Sequence, residues 1–194
     1  SLLESPPTGR FTTFRAYLDA LRATPPAVNV AAMVGHSTLR AVNMADLQRP
    51  ATEGEIAAMQ ALLEEGLQAG AIGLSTGTFY PPAFHATTEE IIAVGRPLSA
   101  HQGVYATHMR DEGAQVIDSL DETFRIGRAL GISVVVSHHK LQGAPNFGRS
   151  SETLPYIRQA MQQQRVCLDC YPYTAGSTMI RTDRGMLDGR VLIA

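Results

Sequence analysis

Residues 104–113 read VYATHMRDEG and residues 132–140 read ISVVVSHHK, and the stretch between them has the period of an amphipathic helix. Two short β-branched runs, Val104–Thr107 and Ile132–Val136, are each followed by a histidine, His108 and His138, about one βα unit of sequence apart. In a parallel sheet every strand points its C-terminal end at the same edge, so histidines closing two successive strands can converge there on one ion. The spacing is that of a strand-end site, not of a zinc finger or a helical HExxH pair.

Outward from this pair the same unit repeats. Short apolar runs recur at Val28–Val34, Ala71–Ser75 and Val166–Tyr171, with helical periods in the gaps. A first helix is expected over Phe11–Ala23, ended by Thr24-Pro25-Pro26. Val28–Val34 has the nearly continuous apolar character of a strand buried on both faces, ends at Gly35-His36-Ser37, and leads into a loop over Arg40–Pro50. Thr52-x-x-Glu55 is a capping box opening a helix over Glu53–Ala69. Further helices are expected from Thr87-Thr88 to Gln102, from Ala114 to Leu130, and from Glu152 to Gln164 behind a Ser150 or Ser151 cap. Thr76–Pro82 and Gly143–Gly148 read as loops, and Val191–Ile193 as the start of another element.

Strand–helix–strand repetition is α/β, with a right-handed parallel sheet whose post-strand loops gather on one rim. Two closures fit, a (β/α)8 barrel or an open doubly wound sheet. Polar or titratable residues follow nearly every strand (His36, Ser75-Thr76, His108, His138 to Lys140, Tyr171), which favours the barrel. Five strands cannot close an eight-stranded barrel. The expectation is one partial (β/α) domain over residues 1–194, an incomplete portion of a TIM barrel, with about three βα units outside it.

Composition narrows the partners. The 194 residues are 44% hydrophobic and 18% charged, with a formal charge of −2, which suits one ordinary core. No basic stripe marks nucleic acid or an anionic membrane surface, so a small-molecule partner is favoured. Cys167 and Cys170 lie in one strand-like run, which argues against a disulfide framework and for a reducing cytoplasm. No apolar run approaches the ~20 residues of a membrane span, and SLLESPPTGR has no signal-peptide core.

Side chains two apart on a strand share a face, so His138 and Lys140 face the same way and His139 the other, provided strand geometry persists that far. Neutral imidazole suits Zn²⁺, and a lysine beside it offers a charge for a substrate anion. Two histidines fall short of the three protein ligands of a catalytic zinc, so by pattern alone a surface or supporting role for His138 and His139 stays open.

Four segments, GLSTGTFYPP (73–82), YATHMRDEG (105–113), VVVSHHK (134–140) and LDCYPYTAGST (168–178), resemble the N-acyl-D-amino-acid deacylase (D-aminoacylase) family of the amidohydrolase superfamily. Four motifs in the expected order are far more specific than any one. The resemblance implies a metal-dependent (β/α)8 barrel with a small β-sandwich built from both chain ends. It implies hydrolysis of the amide of an N-acyl-D-amino acid to a carboxylate and the free D-amino acid. It assigns His108 and His138 as zinc ligands, Lys140 to the substrate carboxylate, Tyr171 to the substrate or the developing oxyanion, and Ser177 to the same pocket.

The family's HxH motif, its metal-bridging cysteine and its general-base aspartate have no counterpart in these 194 residues, and Cys167 and Cys170 stand in the wrong place to replace that cysteine. No catalytic residue is therefore assigned, and the chain alone is expected to be nearly inactive. Arg110-Asp111-Glu112 reads as a solvated loop or as partners orienting the ligand. His36 reads as a loop or capping hydrogen-bonder unless it lines the site, and Ser75 as shaping the pocket, since GLSTG lacks the nucleophile-elbow spacing. His85 and His101 read as surface residues, and Met33, Met109 and Met161 as core or rim packing.

Two alternatives remain: a dihydropyrimidinase-like enzyme acting on cyclic amides, which would not need Lys140, and a non-catalytic truncated βα fragment. An opened barrel exposes two strand edges, so a homo-oligomer is expected.

Overall fold

The computed structural model describes residues 11–179. Five strands, β1 (Val34–Gly35), β2 (Gly73–Gly77), β3 (Val104–His108), β4 (Ser133–Val136) and β5 (Val166–Leu168), pair in parallel in the order β1-β2-β3-β4-β5. A doubly wound sheet reverses its order at a switch point, and this one does not. Right-handed connections in one direction set the helices on one face, as in a section of barrel wall, and bring every strand's C-terminal end to one edge. The register places Gly77 opposite His108 and Thr107 opposite Val136. At Gly73 the β2 and β3 backbones approach so closely that a Cβ would stand 1.9 Å from the Val104 carbonyl oxygen, which only glycine permits.

The connecting helices are α1 (Phe14–Ala23), α2 (His36–Asn43), α3 (Glu53–Ala69), α4 (Pro81–Phe84), α5 (Thr88–Gly95), α6 (Pro97–His101), α7 (Val116–Leu130) and α8 (Ser150–Ala160). The Thr52/Glu55 capping box opens α3, and left-handed Gly70 closes it. Strand alternation decides the packing. Leu74, Tyr105, Val134, Val136 and Val166 are buried on one face with Met59, Leu63, Leu120, Phe124 and Ile157 from the helices. Thr76 bridges the Tyr105 and Thr107 hydroxyls at 2.8 Å each, and burial pushes the Tyr105 phenol up to about 12. On the opposite face Ala106, His108 and Val135 are half-buried.

Several elements differ from the sequence expectation. Val28–Val34 is not a doubly buried strand. Val28 and Val30 are 71% and 50% exposed, and only Val34–Gly35 pairs, because among the described residues no strand lies on the outer side of β1. His36–Asn43 is a helix where a loop was expected from Arg40. Pro97, which lacks an N–H, divides the segment after Thr87 into α5 and α6. Helix α8 starts at Ser150 without a serine cap, and β5 ends at Leu168. Met161 is 44% exposed. Val191–Ile193 lies outside the described residues.

His36 is neither a loop residue nor a cap. It is fully buried at the start of α2, its Nε2 3.3 Å from Glu90 Oε1. Arg40, also fully buried, pairs with the same carboxylate and donates to the carbonyls of Leu47, Arg49 and Pro82, while Glu90 Oε2 accepts from Ala51 N–H. Burial pushes the Glu90 carboxyl up, but His36, Arg40 and the Ala51 amide outweigh it and hold it below its usual value. One guanidinium thus ties the loop between α2 and α3, and helix α4, to α5. Arg40→Met, which leaves Glu90 buried beside an apolar chain, is expected to cost about 3–5 kcal/mol in urea unfolding.

Candidate metal centre

At the C-terminal edge of the sheet, His108 Nδ1 and His138 Nε2 stand 2.9 Å apart. His108 is the last residue of β3, and its ring is walled by Tyr80 and Phe79, with centroids 4.7 and 5.5 Å away, from the loop after β2. His138 lies two residues past β4 with φ +42°, a left-handed backbone unusual outside glycine. The turn is held from β5's side: Asp169 Oδ1 accepts the His138 N–H and the Asp169 carbonyl accepts the His139 N–H, both at 2.7 Å. Strand geometry has ended by then, yet Lys140 still turns to His138, Nζ 2.9 Å from Nδ1, while His139 turns away to Thr153.

Glu112 closes the cluster. Its side chain is 1% exposed, with Oε1 3.1 Å from His138 Nδ1 and Oε2 2.6 Å from Lys140 Nζ. Gln142 donates to it twice, Nε2 to Oε2 at 2.9 Å and the backbone N–H to the Glu112 carbonyl at 2.7 Å. Burial pushes the Glu112 carboxyl up, and His138, His108 and Lys140 outweigh it and hold the carboxyl below the usual range. One ligand atom from each of His108, Glu112 and His138 lies within 4.8 Å of the others.

The donor set fits a zinc ion. Two nitrogens on one tetrahedral zinc stand roughly 3.3 Å apart, so the histidine pair needs to open by only a few tenths of an ångström. His108 Nε2 is buried with no aligned hydrogen bond among the described residues and stands 3.9 Å from Glu112 Oε2, so the pocket holds a polar atom that its own side chains leave unpaired. Burial pushes the His108 imidazole down to about 4, which keeps it neutral, as a metal ligand must be.

That depression has a sign. Below its unfolded value of about 6.5 the unfolded chain takes up a proton that folded His108 refuses. The metal-free protein is therefore expected to keep this contribution above pH ~6.5 and to lose about 3 kcal/mol as pH falls to ~4. Urea unfolding across that window checks it, and His108→Gln should flatten the slope.

The other residues singled out in the sequence are placed as follows. Tyr171 is half-buried with its ring centroid 5.8 Å from Lys140 Nζ, and burial and Glu112 both push its phenol up. Ser177 is exposed, while the adjacent Thr178 reaches Tyr80 Oη at 3.2 Å. Ser75 lies within β2, its hydroxyl 3.5 Å from the Val34 carbonyl. Cys167 and Cys170 are free and exposed. The RDE run is not a solvated loop, because each member has fixed partners: Arg110 grips Glu122 and the Phe84 and Ala86 carbonyls, Asp111 caps the turn before α7, and Glu112 points inward. Glu112 thus takes the second of the two roles expected of this run, a partner of the ligand histidine, though the sequence did not single it out from Arg110 and Asp111. Its signal was the alternation His138, Lys140, Gln142, three polar side chains that all meet one carboxylate.

No family model matches the chain. Solved structures of amidohydrolases share its fold: a D-aminoacylase studied for its binuclear metal centre superposes with a TM-score of 0.90 at 64% identity, covering 93% of this chain and 38% of that one. The N-acyl-D-glutamate deacylase of Bordetella bronchiseptica, complexed with zinc and a phosphonate mimic of the tetrahedral intermediate, superposes with a TM-score of 0.82 at 41% identity, covering 87% and 36%. The fold is thus that of a section of an amidohydrolase barrel. A D-aminoacylase of Alcaligenes xylosoxydans xylosoxydans is 65% identical over 192 residues, 99% of this chain and 40% of that protein, and an N-acyl-D-aspartate deacylase of the same organism is 56% identical over 193 residues, 99% and 39%. The chain is similar to these deacylases over nearly its whole length and spans about two fifths of the length of the relatives it matches.

Proposed function

We propose that this chain carries half of the metal centre and the carboxylate-binding group of a zinc-dependent hydrolase of N-acyl-D-amino acids. The observation that carries the reading is the facing pair His108 Nδ1 and His138 Nε2, on successive strands, beside Lys140. The zinc and phosphonate bound to the Bordetella relative support it.

When bound, zinc supplies a polarised amide carbonyl and a water of lowered pKa. His108 and His138 would hold it as neutral ligands. Lys140 donates to Glu112 Oε2 and, more loosely at 3.4 Å, to the His138 carbonyl, and its third donor direction fixes the substrate carboxylate. Tyr171 stays protonated, so its hydroxyl can donate to the oxyanion. Phe79 and Tyr80 shield His108 from water and supply apolar surface to the substrate. None of the 194 residues matches the family's proton-accepting aspartate, so the chain alone is expected to turn over little.

The test joins this chain to the family's HxH, cysteine and aspartate segments and assays release of free amino acid from N-acyl-D- and N-acyl-L-amino acids. D-selective release, abolished by chelation and restored by zinc, is expected; equal rates on both enantiomers, or indifference to chelation, would refute the proposal. Self-association through exposed strand edges belongs to the same proposal, and a monomer in sedimentation would count against it. Among the described residues no helix is long and apolar enough to cross a membrane. The free, exposed cysteines suit a cytoplasmic setting.

A further inference from the structure

We propose that Glu112 is the positioning residue that sets the tautomer of His138, by holding the Lys140 ammonium and receiving the proton on His138 Nδ1. The inference rests on the metal reading above. His138 Nδ1 has two neighbours of opposite sign, Lys140 Nζ at 2.9 Å and Glu112 Oε1 at 3.1 Å. If the ammonium donates to Nδ1, the ring proton sits on Nε2, and the nitrogen that faces His108 has no lone pair for an ion. If Nδ1–H faces the carboxylate instead, Nε2 is free.

The outcome turns on where the Lys140 protons go. The ammonium has acceptors other than Nδ1: Glu112 Oε2, the nearest at 2.6 Å, and the His138 carbonyl at 3.4 Å, whereas buried Oε1 has no donor in reach but Nδ1 among the described residues. Gln142 Nε2, 2.9 Å from the same oxygen, holds the carboxylate in place. That leaves Oε1, buried and with no aligned hydrogen bond among the described residues. The His138 Nδ1 proton satisfies it after a small rotation of the ring. Both carboxylate oxygens therefore favour the same state, with Nε2 bare toward His108 Nδ1. The carboxylate acts from behind the ring, and neither of its oxygens is spared to become the ion's third ligand.

The test is nitrogen NMR of the metal-free chain with ¹⁵N-labelled imidazoles at neutral pH, His138 being assigned by its absence in His138→Ala. Expected is the Nδ1–H form of His138 in the parent, a shift toward the Nε2–H form in Glu112→Gln, and zinc binding about 10–100-fold weaker in that variant by chelator competition. In a Lys140→Met background the competing donor is gone, so Glu112→Gln should cost less affinity than it does alone. A parent chain in the Nε2–H form, or a Glu112→Gln variant with its tautomer unchanged, would overturn the proposal; the parent measurement needs no variant to fold. A parent with the Nδ1–H form that binds no zinc would uphold the role of Glu112 and overturn the metal reading instead.

Discussion

Replacing either His108 or His138 by alanine is expected to abolish stoichiometric zinc, weakening the site on the order of 10³-fold or more in chelator competition. Each histidine supplies one of two nitrogens already 2.9 Å apart, and no third imidazole stands within hydrogen-bonding reach of the pair among the described residues. Loss of an orienting partner typically costs 10–100-fold, and loss of a ligand must exceed it. The two variants should differ in stability. His108 is the more enclosed, with a side chain 12% exposed against 30% for His138, so its removal opens a void between Tyr80 and Phe79. Equal zinc binding by parent and either variant would place the ion elsewhere.

Lys140→Met is expected to lower kcat/KM for N-acyl-D-amino acids by about 30–1000-fold in the assembled protein, the factor that corresponds to losing one partner of a close charge pair. The loss should be small for amides that lack a free carboxylate. That contrast separates the deacylase reading from an enzyme of cyclic amides, which has no anion to bind at this point. Zinc affinity should survive the change, because removing the ammonium leaves His138 Nδ1 facing Glu112 Oε1 alone. Lys140→Arg is not expected to rescue, since the planar guanidinium demands a fork of acceptors where Glu112 Oε2 and the His138 carbonyl now meet a point charge. A Lys140→Met enzyme that loses carboxylate and carboxylate-free substrates alike would show that the lysine serves the fold, not the substrate.

The parallel repeat was legible because its strands are β-branched, short and bounded by glycine: Ile132–Val136 and Val104–Thr107 sit where their runs put them, and a histidine closes each. His36–Asn43 was not legible. Its buried face is made by His36, Leu39 and Arg40, and a charged residue becomes core only through Glu90, fifty positions away. Val28–Val34 failed in the opposite sense, since an apolar run reports the capacity for burial and not the presence of a neighbour. The metal pair could be placed from strand ends alone, whereas Glu112 could not. In the sequence it sits amid charges that look solvated, and its burial is conferred by Lys140 and Gln142 from the next loop. The His138 turn was hidden too, because a left-handed histidine depends on Asp169 arriving from β5.

The most direct test of the account is X-ray absorption at the zinc edge of this chain loaded with one equivalent of zinc. The account predicts a shell of nitrogen and oxygen at ~2.0–2.1 Å with the outer-shell scattering of two imidazoles, one lost in each of His108→Ala and His138→Ala. Sulfur scattering at ~2.3 Å would place the ion on Cys167 and Cys170 and contradict a strand-end histidine centre.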